Sequence, residues 1–171
     1  KEYRRTVLYE HTFNDVFKGS VATYMIELLT KCLKQPEANP DLFYFLEDVL
    51  MHLDKAKMAV VANFPLFYAV HLANFFGFRI ADEYSEQLPY LDLQEGLFVA
   101  QAPQHAMFLD SILSEVTAHL LKVMQPAELE EIKLQVAARR SLLQFYETYY
   151  SLHVPEFGHL RSLPVLQEVL G

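Results

Sequence analysis

Cysteine is nearly absent from this sequence: Cys32 stands alone among 171 residues. A lone cysteine excludes an internal disulfide and any zinc site built on several thiolates. Its neighbours Leu28, Leu29 and Leu33 make it a small buried hydrophobe. Glycine is scarce too, five in all and none grouped, which excludes a glycine-rich phosphate loop. No serine stands in a nucleophile elbow. Positive charge is in deficit, with 14 Lys and Arg against 22 Asp and Glu, a net charge of −8 with the histidines neutral. Nucleic-acid affinity rests on neutralising phosphates, so the chain by itself is a poor polyphosphate binder. Only local basic pairs remain: Arg4 with Arg5, Lys55 with Lys57, and Arg139 with Arg140. No signal peptide and no apolar span of about 20 residues is found, which predicts a cytoplasmic protein with no membrane partner.

Apolar side chains are abundant: they make up 52 % of the chain, and aromatics 13 %, enough for one self-supporting core. Residues 1–13 alternate loosely and read as an extended lead-in. The chain opens on Lys1 rather than Met, which fits a piece that follows an N-terminal domain. From residue 14 the apolar spacing is helical. Asn14 or Asp15 caps a first helix toward Lys34, with Gly19-Ser20 as a bend and Val21, Tyr24, Met25, Leu28 and Cys32 on one face. Pro40 opens a second helix, with Leu42, Leu46, Val49 and Leu53 inward. A third, over Lys55–Phe76, is apolar nearly all round and so central. Pro65 either kinks it or marks a restart after Asn63, and Gly77 stops it.

Residues 77–103 form one long irregular segment, in which Tyr90–Leu93 and Leu97–Ala100 are spaced for a small hairpin. Pro103 opens a fourth helix, "QPAELEE" opens a fifth that reaches Leu152, and Ser162–Leu170 closes the chain as a sixth. The expected fold is mainly α, a bundle of about six helices.

Two acid–histidine pairs at helical i,i+4 spacing, Asp48 with His52 and Glu115 with His119, are the nearest approach to catalysis. Facing each other, they would make a metal site and a metal-dependent bundle enzyme. Di-metal bundles use Glu-x-x-His, one residue shorter, so solvated surface pairs are the plainer reading. Glu27, beside Leu28, could point inward, though an ordinary solvated acid is the plainer reading. In the last long helix Leu142, Phe145, Tyr146, Tyr149 and Leu152 share the inward face, while Arg139 and Arg140 at its head stand open between a recognition pair and solvated charges.

Three stretches in this order, "GSVATYMIELLTKCLKQPEANPDLFYFL", "NFPLFYAVHLANFFGF" and "RRSLLQFYETYYSLHVPEFGHLRSLPVLQEVL", resemble the C-terminal helical domain of the RecO DNA repair and recombination mediators. The resemblance covers nearly the whole chain from about residue 14. It implies a non-enzymatic role with no cofactor. The preceding domain would be an OB-fold that binds single-stranded DNA, with RecR, single-stranded DNA-binding protein and, indirectly, RecA as partners in the nucleoid. Many family members carry a four-cysteine zinc module after the Gly-aromatic turn. "GFRIADEYSEQLPYLDLQEGLFVAQAPQH" has no cysteine, so zinc is not carried over, and Tyr84, Tyr90, Leu91, Leu93 and Phe98 are expected to pack that segment instead.

The C-terminal tail of single-stranded DNA-binding protein is acidic and apolar, and its recognition calls for an apolar groove flanked by cations. Lys133, Arg139 and Arg140, with Tyr146 of the same helix, are the expected partner-binding residues, and no residue is assigned to catalysis or metal.

Overall fold

The computed structural model describes residues 9–171. Arg4, Arg5 and most of the expected lead-in lie outside the described residues. The helices are α1 (Val16–Cys32), α2 (Pro40–Lys55), α3 (Met58–Leu72), α4 (Ser111–Lys122), α5 (Val136–His153) and α6 (Ser162–Val169). Between α3 and α4 lie three short strands, β1 (Tyr90–Asp92), β2 (Leu97–Val99) and β3 (Phe108–Leu109).

Short polar side chains start three of the helices. Asp15 accepts from the Phe17 and Lys18 N–H groups, Asn39 from Leu42 N just before Pro40, and Asp110 from Leu113 N. Each satisfies an N–H that has no partner inside its helix. α1 runs through Gly19 and Ser20 without a break, contrary to the expected bend.

α3 is the axis of the domain and touches α1, α2, α4 and α5. Its residues Val60, Val61 and Phe64–Val70 are buried. Pro65 lies inside this continuous helix, neither ending nor restarting it. Packing on all sides outweighs the roughly 3 kcal/mol that an interior proline costs. The sequence reading found no membrane-length span, yet Met58–Phe75 is long and apolar enough to be one by composition. Two-thirds of that stretch, 67 %, is buried inside the fold, as for a central core helix.

The irregular segment is held by apolar packing. β1 pairs antiparallel with β2 (Leu91 opposite Phe98) and with β3 (Leu91 opposite Leu109). Leu91, Leu93, Phe98 and Leu109 are buried, and Tyr84 meets Phe98 edge-on. The hairpin was legible, but β3 was not. Because β3 occupies Phe108–Leu109, α4 starts at Ser111 rather than at Pro103. Gly96 turns the hairpin at φ 68°, where a Cβ would come within 3.0 Å of the Tyr149 hydroxyl.

The start of α5 also differs. "PAELEE" forms a 3-10 turn, Pro126–Glu131, and α5 begins only at Val136. The Asn63 amide donates to the carbonyls of Leu129 and Ile132, at 3.3 and 2.7 Å. Those carbonyls would otherwise accept bonds from a continuing helix, so the chain bends at Ile132.

α5 supplies much of the core through tyrosines whose hydroxyls donate to distant carbonyls: Tyr150 to Ala69 at 2.7 Å, and Tyr149 to Phe78. From α3, Tyr68 donates to Met25 at 2.9 Å. Buried phenols thus tie helix to helix with their polar atoms satisfied.

Candidate partner-binding site

Arg139 closes the first turn of α5 and leans onto α3. Its guanidinium donates through Nε to Asn63 Oδ1 at 3.3 Å and through Nη2 to the Leu134 carbonyl at 3.4 Å. Asn63 is 2 % exposed, the lone polar residue of the buried α3 face, and it holds the 129–132 turn and the arginine at once. Arg139 is half-buried, and this desolvation pushes its pKa down. Among the described residues it has no carboxylate partner.

The arginine borders a depression of about 480 Å³ floored by Ala59, Ala62, Ile132 and Leu134 and rimmed by Glu130 and Lys133. Lys133 is exposed and donates to the Glu130 carbonyl at 2.7 Å. α3 and α5 run parallel here, since Asn63 meets Arg139 at one end and Ala69 meets Tyr150 further along. Their N-termini therefore lie at the same end of the domain. Neither has a side-chain cap or an acid in its first turn. Two positive helix ends, a lysine and an arginine meet around an apolar floor, an arrangement suited to a carboxylate on an apolar peptide.

The other expected site residues fall elsewhere. Arg140 points away to α6, where Nη2 donates to the Gln167 carbonyl at 3.0 Å and the Gln167 amide returns a bond to the Arg140 carbonyl at 3.2 Å. The two neighbouring arginines therefore do not act as a pair; Arg140 braces the last turn of α6, where a cation is favoured. Tyr146 must be withdrawn as a partner contact. It is 1 % exposed, with its hydroxyl 2.7 Å from Thr117 Oγ1, because the inward face of α5 that carries it is core.

The acid–histidine pairs do not assemble. His52 Nδ1 lies 3.4 Å from Asp48, but among the described residues no three His, Cys, Asp or Glu side chains group as a metal site. The set Asp48, His52, Glu115 and His119 therefore has no common centre.

Glu27 is not the solvated acid the sequence suggested. It accepts from the Arg161 and Ser162 N–H groups, each at 2.8 Å, and from the Ser162 hydroxyl, capping α6 from across the domain. A larger apolar groove of about 1080 Å³ lies beside it, between Phe13, Val16, Ile26 and Val165, with Arg161 as the one Lys or Arg lining it among the described residues. Asn63 and Glu130 were missed from sequence. Asn63 had a signal, an amide in the middle of an apolar helix, whereas Glu130 looked like one acid among several.

The fold and this depression define a helical domain that carries a cation-lined apolar depression on its surface. Comparison with known proteins gives the lineage. Residues 14–82 match the family described as Recombination protein O C terminal. The chain is 30 % identical over its whole length to the DNA repair protein RecO of Flavobacterium psychrophilum, covering 69 % of that protein. It is 28 % identical over its whole length to the RecO of Flavobacterium johnsoniae, again covering 69 %. The RecO of Bacteroides fragilis is 28 % identical over 91 % of the chain, which covers 64 % of that protein. No solved structure matches the chain. The chain belongs to the RecO family of DNA repair proteins.

Proposed function

We propose that this domain serves a recombination mediator as its partner-recognition unit, holding the acidic C-terminal tail of single-stranded DNA-binding protein in the Arg139 depression. It carries out no bond-making chemistry itself. With RecR it remodels the protein-coated strand in the cytoplasm so that RecA is loaded, while an OB-fold preceding it on the chain contacts the single strand by base stacking and backbone charge. The observation that supports the reading is Arg139: a half-buried guanidinium at an apolar floor, with no carboxylate of its own among the described residues. An arginine so placed recognises a terminal carboxylate through paired N–H donors while the floor takes the apolar side chain.

The test is titration of a fluorescent acidic tail peptide against wild type, Arg139→Glu and Arg140→Glu. Arg139→Glu is expected to weaken binding at least tenfold, whereas Arg140→Glu stays within about twofold because its side chain faces α6. Equal affinity for wild type and Arg139→Glu would remove the depression as the site.

A further inference from the structure

A second depression, of about 370 Å³, shares Glu130 with the first. Met51, Ala56, Val60, Pro126 and Ala127 give it an apolar lining, and Lys55 and Lys57 give it charge. Glu130 lines both depressions. We infer that the two are chambers of one docking groove for an acidic, apolar peptide, and that Glu130 is the divider that sets how tightly the peptide is held. This inference rests on the proposed reading of the Arg139 depression.

The charge distribution singles out that residue. The whole chain carries −8, yet among the described residues the lining of the two chambers sets Lys55, Lys57, Lys133 and Arg139 against a single carboxylate, that of Glu130. Among the described residues neither chamber is lined by a phenylalanine or tyrosine, and His52, the one ring in the second, is tied to its own helix at the Asp48 carbonyl, 2.8 Å away, so stacked bases find little platform and a peptide is the better fit.

The backbone at Glu130 is held from two directions. The 3-10 turn that carries it is closed by a capping box, with Glu128 accepting from Gln125 N at 3.0 Å, and the Glu130 carbonyl holds Lys133. Its side-chain carboxylate lies 4.0 Å from Lys57 Nζ, with both side chains well exposed, so this ion pair is weak and readily exchanged. A peptide that spans both chambers competes with Glu130 for Lys57 and is repelled by Glu130 on the way. The divider therefore holds affinity down, as suits a handover step in which the partner must also be released.

The experiment uses the same labelled peptide, acidic and apolar with a free C-terminal carboxylate, at low and at physiological salt. The proteins are wild type, Glu130→Gln, Lys57→Gln and Arg139→Glu, with melting temperatures recorded for each. Glu130→Gln is expected to tighten binding roughly three- to tenfold, with the gain shrinking as salt rises. Lys57→Gln is expected to weaken binding by a similar factor without a change in melting temperature. If wild type binds and Arg139→Glu does not, but Glu130→Gln matches wild type, the divider is overturned and the Arg139 site stands. If wild type does not bind the peptide, both fall. Displacement of the peptide by a short oligothymidine, with a gain for the oligonucleotide in Glu130→Gln, would overturn the peptide assignment in favour of a nucleic-acid groove.

Discussion

The carboxylate of Asp54, near the end of α2, grips Thr12 twice, taking its backbone N–H at 2.8 Å and its hydroxyl at 2.7 Å. The Glu10 and His11 N–H groups also donate to it, both at 2.9 Å, and Lys18 Nζ donates to the Asp54 main-chain carbonyl at 2.6 Å. One buried side chain therefore fixes the turn that leads into α1.

Burial alone would raise the Asp54 pKa; the hydrogen bonds from Glu10, Thr12 and His11 outweigh it and hold the group far below its ordinary value of 3.8. Because the folded pKa is depressed, the stabilisation is complete above the ordinary pKa and is lost as pH falls below about 4. Asp54→Asn places a donor where only acceptors fit and is expected to destabilise the domain by about 2–3 kcal/mol near pH 7. Urea unfolding of the two proteins from pH 7 down to 2 should show the gap closing with acid. A gap independent of pH would contradict the assignment.

Glu27 offers a second test. Its pKa is lowered: burial pushes upward, but the Ser162 hydroxyl and the Ser162 and Arg161 N–H groups push further down. Glu27→Gln retains the shape and weakens the acceptor, and the expected loss is about 1 kcal/mol, the usual value of an N-terminal cap. Hydrogen exchange should quicken in Ser162–Val169 while α3 stays protected. Faster exchange spread evenly over the core would mean that Glu27 supports more than α6.

Tyr146→Phe separates core from contact surface. Losing the 2.7 Å bond leaves the Thr117 hydroxyl with its bond to the Leu113 carbonyl, so a loss of about 1 kcal/mol in stability is expected. Affinity for the acidic peptide should stay within twofold. A larger drop in affinity would restore Tyr146 to the site.

Most of the architecture was visible in the sequence because apolar spacing and caps are local signals. Val21, Tyr24, Met25, Leu28 and Cys32 are all buried on one face of α1, and Gly77 does end the third helical region, at φ 83°. What the sequence concealed depends on long-range partners. An amide 66 residues away on α3 decides where "PAELEE" stops being helical, and Glu27 finds its partners 134 and 135 residues later. The depression was half legible. Lys133 and Arg139 do line one depression, but no spacing rule says that adjacent arginines part toward different helices, or that Glu130 lines two depressions.

The position of Arg139 within α5 has one more consequence. A cation in the first turn of a helix faces the helix's own positive end, the arrangement a stability-optimised sequence avoids. The parallel α3 adds its positive end from the same side. The Asn63 Oδ1 and Leu134 carbonyl acceptors offset that repulsion, so the guanidinium is held against α3 by neutral oxygens rather than by a carboxylate among the described residues.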